Sequence, residues 1–363
     1  MRSPLSSVHL SRPRFLNKIT TTVMMGLLVF SIGVPAAQGQ KVGKQKDRNK
    51  TRVKKTTLAK PLLWRNPGVV SSRNLLYGPG SPELAPAPPF TFIEEDKSGE
   101  SPKFDVKDAQ GVRWSVKLGE EAQAETTATR LVWSVGYFAE EAYYLDRAEV
   151  SNLPKRLSRG DQYVVADGVV EGARFEPRRA NITRDDTWDW DKNPFKKTRA
   201  LSGLKVLMIL LNNFDARAAN NRILFNSETG NRVAHYYVTD LGATLGRAGG
   251  LGGRRTKNNL EDFLSTRFVM GVEDGAVEFD YDTRPTRLGH LSIVYPPYYL
   301  SQVKKEKSMR GIPVAHARWI GGLLNQLTDE QLRDAFRAAN YPDEIREGYV
   351  RSLRMRIRQL ARL

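Results

Sequence analysis

The chain of 363 residues has no cysteine. This excludes disulfides, thiolate metal ligation, a cysteine nucleophile and a lipidated-cysteine anchor. Histidine is scarce. His9, His235, His290 and His316 lie far apart in sequence, which argues against a histidine zinc site. No apolar run approaches the roughly 20 residues that a membrane-spanning helix needs. Neither the Gly-Lys-Ser/Thr of a P-loop nor G-x-G-x-x-G in a strand–helix context is present. Asp189-x-Asp191-x-Asn193 opens like a calcium loop. Pro194 replaces the turn glycine and Ala200 stands at the twelfth position, so the motif fails.

Acid is nearly absent from the first 60 residues, which hold 13 Lys and Arg against Asp47 alone. The other 303 residues hold 44 basic and 39 acidic residues, so most of the net charge of +17 belongs to this segment. Aliphatic and aromatic residues make up 40% of the chain, enough for a packed core. Arg2, Arg12, Arg14 and Lys18 precede the apolar run 23–35, and small residues follow at 36–39. A basic start, a short apolar run and a small-residue exit predict a secretory signal peptide over residues 1–39 and an exported, periplasmic or extracellular chain. The lysines and arginines directly after the run favour an alternative, an N-terminal membrane anchor, because positive charge resists translocation. Residues 41–60 are expected to contact an anionic surface, and no sequence-specific nucleic-acid binding is expected.

Residues 40–89 read as a linker, basic at first and then rich in proline and glycine, and therefore disordered. Three short strands follow at 90–93, 103–106 and 112–117, separated by turns at 96–102 and 108–111, as an antiparallel meander. A helix is predicted over 120–137 from Ala124, Ala128, Leu131, Val132 and Val135. Strands are expected at 142–145 and 163–165, then a strongly apolar helix over 201–212. A small hairpin of 223–225 with 236–238 comes next, and a basic helix over 344–363 ends the chain. Strands first and helices later predict an α+β fold in two lobes. A small strand-rich lobe would span 90–180 and a helical lobe 181–363, with Trp188 and Trp190 packing between them.

Three spots carry chemistry-bearing residues. Lys117 ends the third strand. Glu125 shares a helix face with Ala128, Thr129 and Val132, so it needs a partner, and Lys117 is the natural one. Asp215, Arg217 and Asn220 sit between the apolar helix and a strand. Asp240, followed by Gly242, closes the next strand.

In their order and spacing these residues resemble the protein-kinase-like fold. The resemblance is closest to its divergent branches: HipA-like kinases, secreted Golgi casein-kinase-like proteins, spore-coat kinases and lipid kinase relatives. It covers roughly residues 90–345 and implies ATP, Mg²⁺ and phosphoryl transfer to an unidentified hydroxyl acceptor, protein or small molecule. Lys117 resembles the phosphate-pairing lysine and Glu125 its helix partner. Asp215 resembles the base that accepts the acceptor's proton, with Arg217 neutralising the transferred phosphate. Asn220 and Asp240 resemble the metal ligands. The phosphate-covering turn falls on Lys97–Ser101, where Ser98 and Ser101 would assist. It departs from the pattern in having one glycine, and Glu100 lies within it. Asn213-Phe214 replaces His-Arg, and Ala-Pro-Glu is missing. The glycine-rich stretch 246–254 occupies the place of an activation segment and reads as mobile. Two other readings stand beside this one: a catalytically silent kinase-fold module that binds a nucleotide or a partner in the cell envelope, and a basic surface-binding protein.

Overall fold

The proline- and glycine-rich stretch before residue 90 is ordered from Ala59 onward, held by its few apolar residues. A computed structural model describes residues 59–247, 255–281, 283 and 296–363. The expected leader (1–39), residues 41–58 of the basic segment and residues 248–254 of the glycine-rich stretch lie outside the described residues. Strand β1 (Lys60–Leu62) runs parallel to β10 (Val233–Val238), and Leu63, Val70 and Leu75 are buried in the main core. Their carbonyl oxygens and those of their neighbours are met from far away in sequence. Gln331 donates to Val70 O at 2.9 Å and Arg73 O at 2.8 Å, and Arg130 to Leu76 O at 3.2 Å. The linker reading therefore does not hold for residues 59–89. Proline and glycine exclude regular structure but not order, because side-chain donors replace the missing ladder.

Apolar alternation builds the next layer. β2 (Phe90–Asp96), β3 (Lys103–Lys107) and β4 (Arg113–Leu118) form the expected antiparallel meander. Asp108 fixes its second turn, accepting from Gln110 N at 3.0 Å, Val112 N at 2.8 Å and Trp114 Nε1 at 2.8 Å. The chain then forms α1 (Glu120–Ser134), shorter than its apolar pattern suggested because Gly136 takes φ +96°. β5 (Tyr143–Ser151), β6 (Val164–Ala166) and β7 (Val169–Pro177) complete a six-stranded sheet ordered β4-β3-β2-β5-β7-β6. β7 also pairs with β4, so five strands close on themselves around Phe90, Phe104, Trp114, Val116 and Phe175. The sheet is mixed rather than wholly antiparallel. β2 and β5 run parallel because the excursion through α1 brings the chain back in the same direction.

β8 (Ile182–Asp186) leads to α2 (Arg199–Leu210), capped by Thr198, whose hydroxyl accepts from Leu201 N at 3.2 Å. β9 (Asn221–Asn226) and β10 form the expected hairpin in a four-stranded sheet ordered β1-β10-β9-β8. Next come α3 (Leu260–Leu264), the hairpin β11 (Val269–Glu273) and β12 (Ala276–Phe279), α4 (Pro296–Ser308) and β13 (Ile312–Pro313). The last helices are α5 (Val314–Leu324), α6 (Asp329–Arg337) and α7 (Asp343–Ala361). Trp188 and Trp190 pack into the core around α2, with ring centroids 4.9 Å apart. The fold is mixed α+β. Among the described residues no helix is long and apolar enough to cross a membrane.

Residues 59–89 are thus part of the folded unit. A chain beginning at Phe90 is expected to lose its cooperative transition in urea, whereas one beginning at Ala59 keeps it. Removing Leu63, Val70 and Leu75 alone forfeits on the order of 5 kcal/mol of burial, comparable with the net stability of a typical domain. Circular dichroism of the two chains checks this.

Candidate active site

Lys117 lies near the end of β4, opposite Arg174 of β7, and is only 4% exposed. The strand gives way to α1 at Gly119 (φ +94°), which places Glu121 and Glu125 one turn apart on the helix face above the lysine. Lys117 Nζ stands 2.7 Å from Glu125 Oε2, 2.7 Å from Asp240 Oδ1 and 3.1 Å from Glu121 Oε2. Burial disfavours the ammonium. The carboxylates of Glu125 and Asp240 more than offset this and raise its pKa. Burial pushes the Glu125 carboxyl up, opposed by Arg174 and Lys117. Arg174 Nε approaches Glu125 Oε2 to 3.5 Å, so two cations share one buried carboxylate. Glu121 goes the other way. Burial would raise it, but Lys117, Lys257 and the hydroxyl of Ser101 hold it down at about 2.

Asp240 follows β10 with φ +54°, a left-handed conformation that aspartate tolerates. Thr239 anchors this turn, since its N and Oγ1 both donate to Asn220 O at 2.9 Å. Gly242 is required by crowding: a Cβ there would lie 2.5 Å from Cβ of Glu121. The loop after α2 is braced from within. Asn213 Oδ1 accepts from Asp215 N at 2.9 Å, and Asn220 Nδ2 donates to Asp215 O at 3.0 Å and Oδ2 at 2.9 Å. Two cations flank the Asp215 carboxylate. Arg217 Nη2 is 2.9 Å from Oδ2, and Lys305 Nζ of α4 is 3.5 Å from Oδ1 and 3.1 Å from Phe214 O. Burial lowers the pKa of Lys305, with Asp215 opposing.

A cleft of about 940 Å³ is lined by Ser98, Ser101, Asp215, Arg217, Asn220 and Asp240. Lys117 and Glu125 stand behind its wall, joined to it through Asp240. All eight residues singled out from sequence therefore gather at one place. The two serines are already engaged. Ser101 Oγ donates to Glu121 Oε2 at 2.7 Å, and Ser98 Oγ accepts from Lys103 at 3.5 Å. Their turn is held by Arg159, which donates to the carbonyls of Asp96, Ser98 and Gly99. Sequence reasoning missed Glu121, Lys257 and Lys305. Glu121 had a signal, four residues from both Lys117 and Glu125. Lys257 and Lys305 reach the cleft only through tertiary folding.

No protein-family model matches the chain, and no curated protein matches it. Among solved structures, the crystal structure of a Helicobacter pylori proinflammatory kinase, CtkA, aligns at 12% identity with a TM-score of 0.39. The alignment covers 74% of this chain and 92% of that one. A likeness at that TM-score carries no weight for function, which must come from the geometry of the cleft itself.

The carboxylates of Glu121, Glu125 and Asp240 lie within 4.8 Å of one another, close enough to ligate a cation, but the Lys117 ammonium already sits among them. This trio is a lysine cradle. The atoms that suit a hard divalent cation are Asp240 Oδ2 and Asn220 Oδ1. Neither accepts a hydrogen bond from a described residue, and the Asp240 side chain is 44% exposed to the cleft.

Glu121 generates a prediction about acid stability. Its folded pKa lies below its ordinary value of 4.5, so its contribution is present above pH 4.5 and is lost as pH falls toward 2. Glu121→Gln is expected to cost about 3 kcal/mol at neutral pH. The gap between variant and parent is expected to narrow by about 1 kcal/mol between pH 5 and pH 3.5, as read from urea midpoints. A constant gap across that range would mean that the carboxylate's charge is not what matters.

Proposed function

We propose that the chain is a phosphotransferase of the two-lobed, protein-kinase-like class, acting with ATP and Mg²⁺ on a hydroxyl acceptor. One observation carries the reading: Lys117 is within bonding distance of both Glu125 and Asp240, while Thr239 and Asn220 tie the Asp240 turn to the loop that bears Asp215. Three separate segments thus bring together a pair of hard oxygen ligands and a carboxylate in one cleft and a buried cation directly behind its wall. In-line phosphoryl transfer calls for that set, because it needs positioning and charge neutralisation more than covalent help. Bound Mg²⁺, held by Asp240 and Asn220, would neutralise charge on the nucleotide's phosphates. Lys117, oriented by Glu125, binds the phosphates from behind Asp240. Asp215 orients the acceptor hydroxyl and takes its proton. Arg217 and Lys305 flank Asp215 and supply positive charge beside the transferred group.

A silent, nucleotide-binding module is the second reading. It is favoured by Glu121, a third carboxylate on Lys117 that competes with phosphate for the same ammonium. The leader-like residues 1–39 support an exported chain, with residues 41–60 toward an anionic surface. The mass of the native N-terminus decides between cleavage and anchoring.

The two aspartates separate the readings. Asp240→Asn is expected to weaken Mg²⁺-dependent ATP binding at least tenfold, since it removes the anionic ligand. Asp215→Asn is expected to leave ATP affinity within a few-fold while lowering turnover on the order of 10²–10⁴, the usual worth of general-base assistance. Calorimetry and ATP-consumption assays give the two quantities. ATP binding without turnover in the parent chain supports the silent module. Equal, small effects of both substitutions on Mg²⁺–ATP binding would reject the site assignment.

A further inference from the structure

Outside the cleft, one face of α7 is cationic. From residue 344 to the end of the chain every basic residue is an arginine, and the last acid is Glu347. Arg351, Met355, Arg358 and Arg362 are spaced i, i+4, i+7 and i+11, which puts them within about 60° of arc on a 3.6-residue helix. Tyr349, Leu353, Arg356, Ile357 and Leu360 are buried on the opposite side, so the stripe points straight out. The side chains of Arg351, Arg358 and Arg362 are exposed and form no hydrogen bond or ion pair with a described residue. Their neighbours are spoken for. Arg354 is tied to Asp329 at 2.7 Å and to Leu327 O at 2.7 Å, and Arg333 to Glu347 at 2.9 Å. Between the free arginines stands Met355, 55% exposed. The stripe lines one side of a groove of about 520 Å³ between α6 and α7, where Asp329 and Glu347 are held by Arg354 and Arg333.

We infer that this face docks on an anionic phospholipid surface. The guanidinium groups match phosphate bidentately and are weakly hydrated, which suits them to phosphodiester headgroups at a water–lipid boundary. The three free arginines span roughly 16 Å along the helix, enough to engage more than one headgroup. Met355 decides among polyanions. A soluble polyanion has no use for an apolar tip between arginines, whereas a bilayer accepts one beneath its phosphates. This contact is independent of residues 41–60 and of the cleft's chemistry.

The absence of cysteine makes the test clean. Met355→Cys in the full chain gives one labelling site for an environment-sensitive nitrobenzoxadiazole dye. With phosphatidylglycerol-containing vesicles the dye is expected to brighten and shift to the blue, and added salt is expected to reverse this. With pure phosphatidylcholine vesicles no change is expected. In the Arg351→Gln/Arg358→Gln/Arg362→Gln background the vesicle concentration needed is expected to rise on the order of 10²-fold or more, at about 1 kcal/mol per arginine. The urea midpoint of that background should stay unchanged, since all three side chains are exposed. A silent dye on vesicles that still sediment the chain would overturn the proposal, because binding would then belong to another segment. An equal response to phosphatidylcholine would overturn the electrostatic argument. A response to inorganic polyphosphate without one to vesicles would make the stripe a site for a soluble polyanion instead.

Discussion

The structure turns on the burial of one ammonium group. Lys117 is withdrawn from water at the end of β4, and a lone buried charge there would cost several kcal/mol, roughly. It is kept by three carboxylates, two from the first turns of α1 and one 123 residues away at Asp240. Breaking such a pair typically costs about 3–5 kcal/mol, so strand, helix and distant turn hold one another in place. The same constraint explains nearby choices. Gly242 has no side chain because Glu121 occupies that space, and Gly119 supplies the positive φ that starts α1 over the lysine.

Behind the lysine the charges continue inward rather than ending. Arg174 links Glu125 to Glu176, with Nη1 at 2.8 Å from the latter. Glu176 also accepts from Arg178 at 2.8 Å and from Arg184, which reaches Glu140 at 2.8 Å. Burial, and then repulsion from Glu176, pushes the Glu140 carboxyl up to about 7. This ladder crosses from the closed sheet to β8 on the neighbouring one. It fixes the lysine's wall of the cleft against the sheet whose β9 follows Asn220 and whose β10 leads into Asp240. Apolar contacts, which carry no directional preference, would not set that register.

The opposite wall depends on a second buried cation, solved in another way. Among the described residues, Arg356 of α7 has no carboxylate within ion-pair distance. It donates to Leu210 O at 2.8 Å, Asn212 Oδ1 at 3.0 Å, Phe263 O at 3.0 Å and Thr266 Oγ1 at 2.7 Å, with its guanidinium 3.9 Å from the centre of the Phe263 ring. Burial lowers its pKa to about 10, still far above neutrality. Its partners include the last carbonyl of α2 and the side chain at Asn212, where the loop bearing Asp215 begins. That loop is therefore backed by a rigid clamp, consistent with the idea that a site's precision comes from what supports it.

Local pattern determined much of this protein. The alternation in 90–118 specified the meander. The apolar faces of α1 and α2 and the short hairpin of β9 and β10 were also legible, because each is decided by residues close in sequence. So was the pairing of Lys117 with Glu125, since a carboxylate on an apolar helix face has to find a cation. Tertiary structure decided the rest. β7 escaped notice although it is the strand that closes the sheet. Most of its residues are buried on both faces, so no simple alternation marks it. Residues 59–89 read as a linker because their order comes from Gln331 and Arg130, donors that no local window contains. Lys305 and Lys257 give no sign in sequence of their place beside Asp215 and Glu121. Charge acts through space, and only the folded chain sets that distance.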